Sequence, residues 1–197
     1  MDYPSNMQRP LRKAPLIALM SVLVALCLAI QLSPRPPNVE FTSLFTFSAG
    51  FIFNPIFGIL FGCFIMFVNG FLSPWGFAGL NMPFQMAGMG LIGLAGGLYR
   101  KFARESCLAT FCFKAAVLGA FLTVIYDLIT NIGVAISYVI GGVPFNVAVI
   151  TALAYGAPFS LIHVSSNVAV FGVAFLPIIK VVNKHVDGEQ LWLRREH

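Results

Sequence analysis

Charge is what this chain has least of. Only 10% of its 197 residues are Asp, Glu, Lys or Arg, against 58% hydrophobic. That balance excludes an ordinary soluble domain, where roughly a quarter of residues are charged. Several enzyme signatures are missing as well. There is no GxxxxGK[ST] loop to cradle a nucleotide and no HExxH zinc motif. A single acidic residue, Asp127, falls in the interior of an apolar segment, so a paired-aspartate intramembrane protease is excluded. Ser160 and His163 share one stretch but have no nucleophile motif and no separate base around them. The cysteines Cys27, Cys63, Cys107 and Cys112 form no framework. Two lie in apolar segments, where Cys behaves as a small hydrophobe, and the other two make no complete metal site. No cofactor, no metal and no enzymatic activity are expected.

What the chain does have is long apolar runs and a mean hydropathy of +0.87. Several runs reach the 18 or so residues needed to cross a hydrocarbon core of roughly 30 Å. They do not alternate as barrel strands do, so the expected fold is an all-α integral membrane protein with six transmembrane helices. The first apolar run, 14–32, follows a basic start but has no small-x-small cleavage site before Ser33, and is read as a retained helix. Pro34-Arg35-Pro36-Pro37 breaks the chain. Further helices are expected over 39–53, 56–72, 81–98 and 115–140, separated by Asn54-Pro55, Ser73-Pro74-Trp75-Gly76, a basic loop at 99–114 and Gly141-Gly142-Val143-Pro144. The last apolar stretch is too long for one span. Gly156-Ala157-Pro158 suggests a short interfacial or re-entrant helix near 145–155 and then a final span over 158–179.

Basic residues orient the bundle. Arg9, Arg12 and Lys13 precede the first span; Arg100, Lys101, Arg104 and Lys114 flank the central loop; Lys180, Lys184, Arg194 and Arg195 follow the last. Only Arg35 remains for the other side. A surplus of +5 gathered in this way follows the positive-inside rule and does not point to nucleic acid. The expected organisation is a cytoplasmic segment 1–13, a membrane domain 14–182 and a cytoplasmic tail 183–197, in the cell membrane.

With that orientation, polar residues collect in the outer half of five segments. Asn81 and Gln85 open the fourth helix. Asp127, Thr130, Asn131 and Tyr138 lie along the fifth, and Ser160, His163 and Asn167 along the last. Asp127 and Asn131 are four residues apart, as are His163 and Asn167, so each pair shares a helix face. An ionisable group in a bilayer needs a partner or water. These faces either line a pocket open to the outside or form a structural clasp. For a pocket the candidates are Asn81, Gln85, Asp127, Asn131, Tyr138, His163 and Asn167, with Tyr138 and Trp75 as stacking groups; the candidate partners for Asp127 are His163, Asn167 or a cationic or hydrogen-donor ligand.

Small residues recur at helical spacing: Ala14 and Ala18, and Gly58 and Gly62. Such faces permit close helix approach in lipid, either to a partner membrane protein or within the bundle. Gly88-Met89-Gly90-Leu91-Ile92-Gly93 spells GxGxxG but lacks a preceding strand, so packing and not dinucleotide binding is expected.

Taken together, Ala14-x-x-x-Ala18, Pro37-Asn38-Val39-Glu40-Phe41, the run from Phe53 to Gly62, the Pro83/Gly88/Gly93/Gly97 pattern, Tyr126 to Gly133 and His163-Val164-Ser165-Ser166-Asn167 resemble the substrate-binding S component of energy-coupling factor (ECF) vitamin transporters. The likeness extends over about residues 12–182. It implies a six-helix subunit that captures a water-soluble vitamin or related micronutrient near the outer surface, using the loop after the first helix and helices four to six. It further implies docking through small residues of the first and third helices onto a membrane T component driven by two ATPase subunits, with toppling to release substrate inside. The alternative is a scaffold membrane protein of the cell-shape type, without a transported ligand.

Overall fold

The structure is a computed structural model that describes the backbone of residues 13–102 and 108–185 and the side chains of 17–100 and 110–181. Its elements are α1 (Lys13–Leu32), α2 (Thr42–Ile52), α3 (Pro55–Leu72), α4 (Met82–Phe102), α5 (Leu108–Ile140) and α6 (Phe145–His185), with a 3-10 turn at Gly79–Asn81 leading into α4. No strand occurs among the described residues. The segments 1–12 and 186–197, with Arg9, Arg12, Arg194 and Arg195, lie outside them, as do Arg104, Cys107 and the side chains of Lys13, Ala14, Lys101 and Lys184.

The faces of these helices are inverted relative to a soluble protein. On α3, Ile56, Leu60, Phe64, Phe67 and Phe71 are exposed, while Gly58, Gly62 and Asn69 are buried. On α5, Phe113, Val117, Phe121, Val124, Leu128 and Ile132 point outward, whereas Thr123 and Asp127 point in. In water the polar face of an amphipathic helix would be the outer one; in hydrocarbon this arrangement is the favourable one. Three helical stretches, Pro55–Leu72, Thr110–Ile140 and Phe145–Val181, are long and apolar enough to cross a membrane. The chain is therefore a helical membrane protein.

The centre of the bundle is α2. All eleven of its residues are buried, although it is only about 16 Å long at 1.5 Å per residue and so is too short to cross the hydrocarbon. Glycine lets α3 and α4 close on it. A Cβ on Gly50 would strike the Gly93 carbonyl, one on Gly93 the Gly58 carbonyl, and one on Gly96 the Phe47 carbonyl. Aromatic rings join α2 to α6: Phe47 lies edge-on to Phe171 and Phe175 at 5.5 and 5.2 Å. Arg100 of α4 donates to the Ile52 and Phe53 carbonyls at 3.0 and 3.2 Å, where the helix leaves acceptors open and carries partial negative charge. Asn54 then caps α3, accepting from the Phe57 amide at 2.8 Å, with Pro55 in the first turn.

Sequence reasoning needs four corrections. The short helix at 145–155 and the separate span from 158 are one continuous α6, which runs through Pro158 and Pro177. Each proline removes one donor, but ending a helix in an apolar interior would free several donors and acceptors at once. Gly156 is not a break; it makes room for the Asn131 side chain, whose Oδ1 would stand 2.5 Å from a Cβ there. Next, α5 begins at Leu108, so Lys114 rides on the helix and is not in a loop. Third, α2 begins at Thr42, which leaves Glu40 in the connection from α1. Finally, Gly58 and Gly62 are no free docking face: both are buried, and a Cβ on Gly62 would lie 2.6 Å from the Met89 carbonyl oxygen of α4. Internal packing has taken that stripe. The GxGxxG run of α4 serves the same purpose: Gly88 faces the Tyr126 ring, Gly90 Cys63 and Gly93 Gly58.

Candidate functional site: a buried carboxylate–imidazole–carboxylate clasp beside a cavity

α5 and α6 run antiparallel, and their register places polar residues opposite one another. Asn131 faces Gly156. Asp127 faces His163. Thr123 faces Asn167. The second of these pairs is the heart of the site. His163 Nδ1 lies 2.7 Å from Asp127 Oδ1, and His163 Nε2 lies 3.0 Å from Glu40 Oε1. Ionised carboxylates only accept hydrogen bonds; facing two of them, an imidazolium, with two N–H donors, would satisfy both contacts as charge-assisted bonds. All three residues are buried. The Tyr126 ring stands edge-on to the imidazole, centroids 5.6 Å apart, and holds its plane.

Glu40 arrives by way of the connection between α1 and α2, which is itself tied down. Arg35 donates to the carbonyls of Val39 (2.9 Å) and Ile30 (3.4 Å), to Gln31 Oε1 (2.8 Å) and to the Gln31 carbonyl. It thereby caps the last turn of α1, where a cation is favoured. Gln31 Oε1 also accepts from Thr42 Oγ1. Glu40 Oε1 accepts from Ser43 Oγ at 2.6 Å. Asn38, at a positive φ of 60° that Asn tolerates better than most residues, donates to the Phe159 carbonyl of α6 at 3.0 Å. Through this strap, the α1–α2 connection, α5 and α6 share one ionic cluster.

Beside the clasp opens a cavity of about 510 Å³, bounded by the α1–α2 and α3–α4 connections, the end of α1, and α3, α4, α5 and α6. Of the residues expected to line a pocket, Asn81, Gln85, Asp127, Asn131 and His163 do so, and so does Trp75. Two do not. Asn167 is fully buried one turn deeper, where its Nδ2 donates to Thr123 Oγ1 at 2.9 Å. Tyr138 sits near the end of α5, its carbonyl accepting from Val143 in the following turn, and is not among the lining residues. Among the expected docking residues, Ala18 is exposed on α1.

Sequence reasoning missed Glu40, Arg35 and Gln31. Glu40 reads as an interfacial residue because it adjoins a proline-rich loop. The signal that was available is charge: Glu40 and Arg35, five positions earlier, are the only charged residues between the first two helices. Asn69, near the end of α3, also lines the cavity.

Several buried acceptors at this end have no partner: Asp127 Oδ2, Asn81 Oδ1 and Gln85 Oε1. A buried acceptor left alone costs about 1–3 kcal/mol, so the native site calls for a donor there. Among the described residues no cluster of His, Cys, Asp and Glu is suited to a metal ion. No protein-family model, characterised protein or solved structure matches the chain.

Proposed function

We propose that this chain is a membrane-embedded solute-binding subunit of the S-component type. It captures a water-soluble vitamin or related micronutrient from outside the cell and hands it to a T component powered by two ATPase subunits. It catalyses no reaction itself. The observation that carries the reading is the cavity of about 510 Å³, within the 300–1,000 Å³ common for small-molecule sites, next to a buried carboxylate oxygen without a partner.

In this reading all six helices belong to the membrane domain and both termini are cytoplasmic. The end that carries Arg100 then faces the cytoplasm and the cavity opens outward, as the positive-inside rule requires. Docking falls to α1, where Ala18, Ser21, Ala25 and Ala29 are all exposed at spacings that let another helix approach closely.

The test is direct. Protein purified in mild detergent is analysed by native mass spectrometry for a retained small molecule, and its thermal unfolding is followed with a panel of water-soluble vitamins. A retained compound, or one vitamin that raises Tm, is the expected result. With no retained compound and no shift, the scaffold reading takes its place.

A further inference from the structure

We infer that the cavity selects a flat organic cation bearing N–H donors, an aromatic amidinium or ammonium, and rejects organic anions of the same size. The inference rests on the solute-binding reading and adds the chemical class. Its first support is the state of the charged groups around the cavity. Arg35, the only guanidinium there among the described residues, already makes four contacts to oxygens of its own loop and helix. Both nitrogens of His163 are taken by Glu40 and Asp127. Among the described residues the positive groups are therefore almost wholly committed: His163 has no N–H left and Arg35 at most one of its five, so an incoming carboxylate or phosphate cannot be held by a bidentate cationic fork.

The negative groups are not fully committed. Asp127, 8% exposed, lends Oδ1 to His163 and keeps Oδ2 buried and partnerless. A carboxylate cannot turn into a donor by flipping, whereas the amides of Asn81 and Gln85 can. The requirement for a donor is thus fixed at Asp127 and adjustable at the two amides. The register of α4 against α5 places them on one wall: Gly88 meets Tyr126 and Gly133 meets Asn81, so Gln85 falls near the level of Thr130. The second support is the rim. Trp75, Phe77 and Tyr155 line the cavity and are 61%, 66% and 72% exposed. Aromatic faces attract a cation and stack on a flat ring, and repel an anion by the same quadrupole.

Three isosteric probes separate the possibilities: benzamidine (cation), benzamide (neutral) and benzoate (anion), titrated calorimetrically onto the 197-residue chain in lipid nanodiscs. Benzamidine is expected to bind at least about tenfold more tightly than benzamide, with benzoate weaker still, and Asp127→Asn to remove about a factor of ten from benzamidine alone. Should Asp127→Asn not fold, Gln85→Leu and Trp75→Ala serve instead, each lowering benzamidine affinity severalfold. Benzoate or benzamide binding as well as benzamidine overturns the cation assignment and leaves the solute-binding reading standing. Benzamidine affinity unchanged in the variants overturns it too. Binding of none of the three also overturns it, and the solute-binding reading falls with it only if the denatured protein releases no small molecule.

Discussion

The two ends of the bundle are built on opposite rules. Around the α2–α3 turn and α4, backbone meets backbone: Gly50, Gly58, Gly93 and Gly96 leave no space for even a methyl group. Around the α1–α2 and α3–α4 connections, polar side chains join the elements through hydrogen bonds, and a cavity remains beside them. Close glycine packing gains dispersion contacts without polar atoms and tolerates no change. The clasp gains charge-assisted bonds at the expense of desolvating three ionisable groups, which pays only while all three are present. One end is a rigid base and the other a site with unsatisfied capacity.

Breaking the clasp is the most damaging single change expected. His163→Ala leaves Glu40 and Asp127 buried without their shared counter-charge and should destabilise the fold by about 3–5 kcal/mol, seen as a lower Tm in detergent. Adding Glu40→Gln and Asp127→Asn should restore part of the loss; if the triple variant is no better than His163→Ala, the charges are not the cause. Next comes the glycine seam. Gly93→Ala drives a Cβ into the Gly58 carbonyl, and overpacking against backbone that cannot yield should cost about 3 kcal/mol. An undiminished Tm would mean that α3 and α4 are farther apart than described. The smallest effect is the control for that seam. At Gly172 a new Cβ meets only the Ala116 Cβ, at 3.5 Å, so Gly172→Ala should be neutral or stabilise by up to about 1 kcal/mol through helix propensity. A large loss there would erase the distinction between a glycine at a seam and a glycine in passing.

Much of the site was legible before any coordinates. Asp127 and His163 stood out because ionisable residues in apolar runs are expensive, and their pairing was one of the alternatives that meeting helix faces allowed. Asn81, Gln85 and Asn131 were found by the same argument. Asn167 and Tyr138 were misplaced because depth along a helix is readable from spacing but the lateral position of a cavity is not. Glu40 was passed over because only a folded connection brings it across to His163, which is 123 positions away in the chain.

The residue pattern alone determined that this is a helical membrane protein with its polarity turned inward, since apolar run length and the phase of polar residues are local properties. Local signals also overestimated the breaks. Gly156-Ala157-Pro158 has every mark of a helix end, yet α6 continues through it, because in an apolar interior a broken helix costs more than a single missing donor. Only tertiary structure could decide what Gly58 and Gly62 pack against, that eleven residues of α2 form the buried centre, and that Asp127 keeps one oxygen free. Each of those depends on which surfaces meet across long stretches of chain, and contact at a distance is written in no single segment.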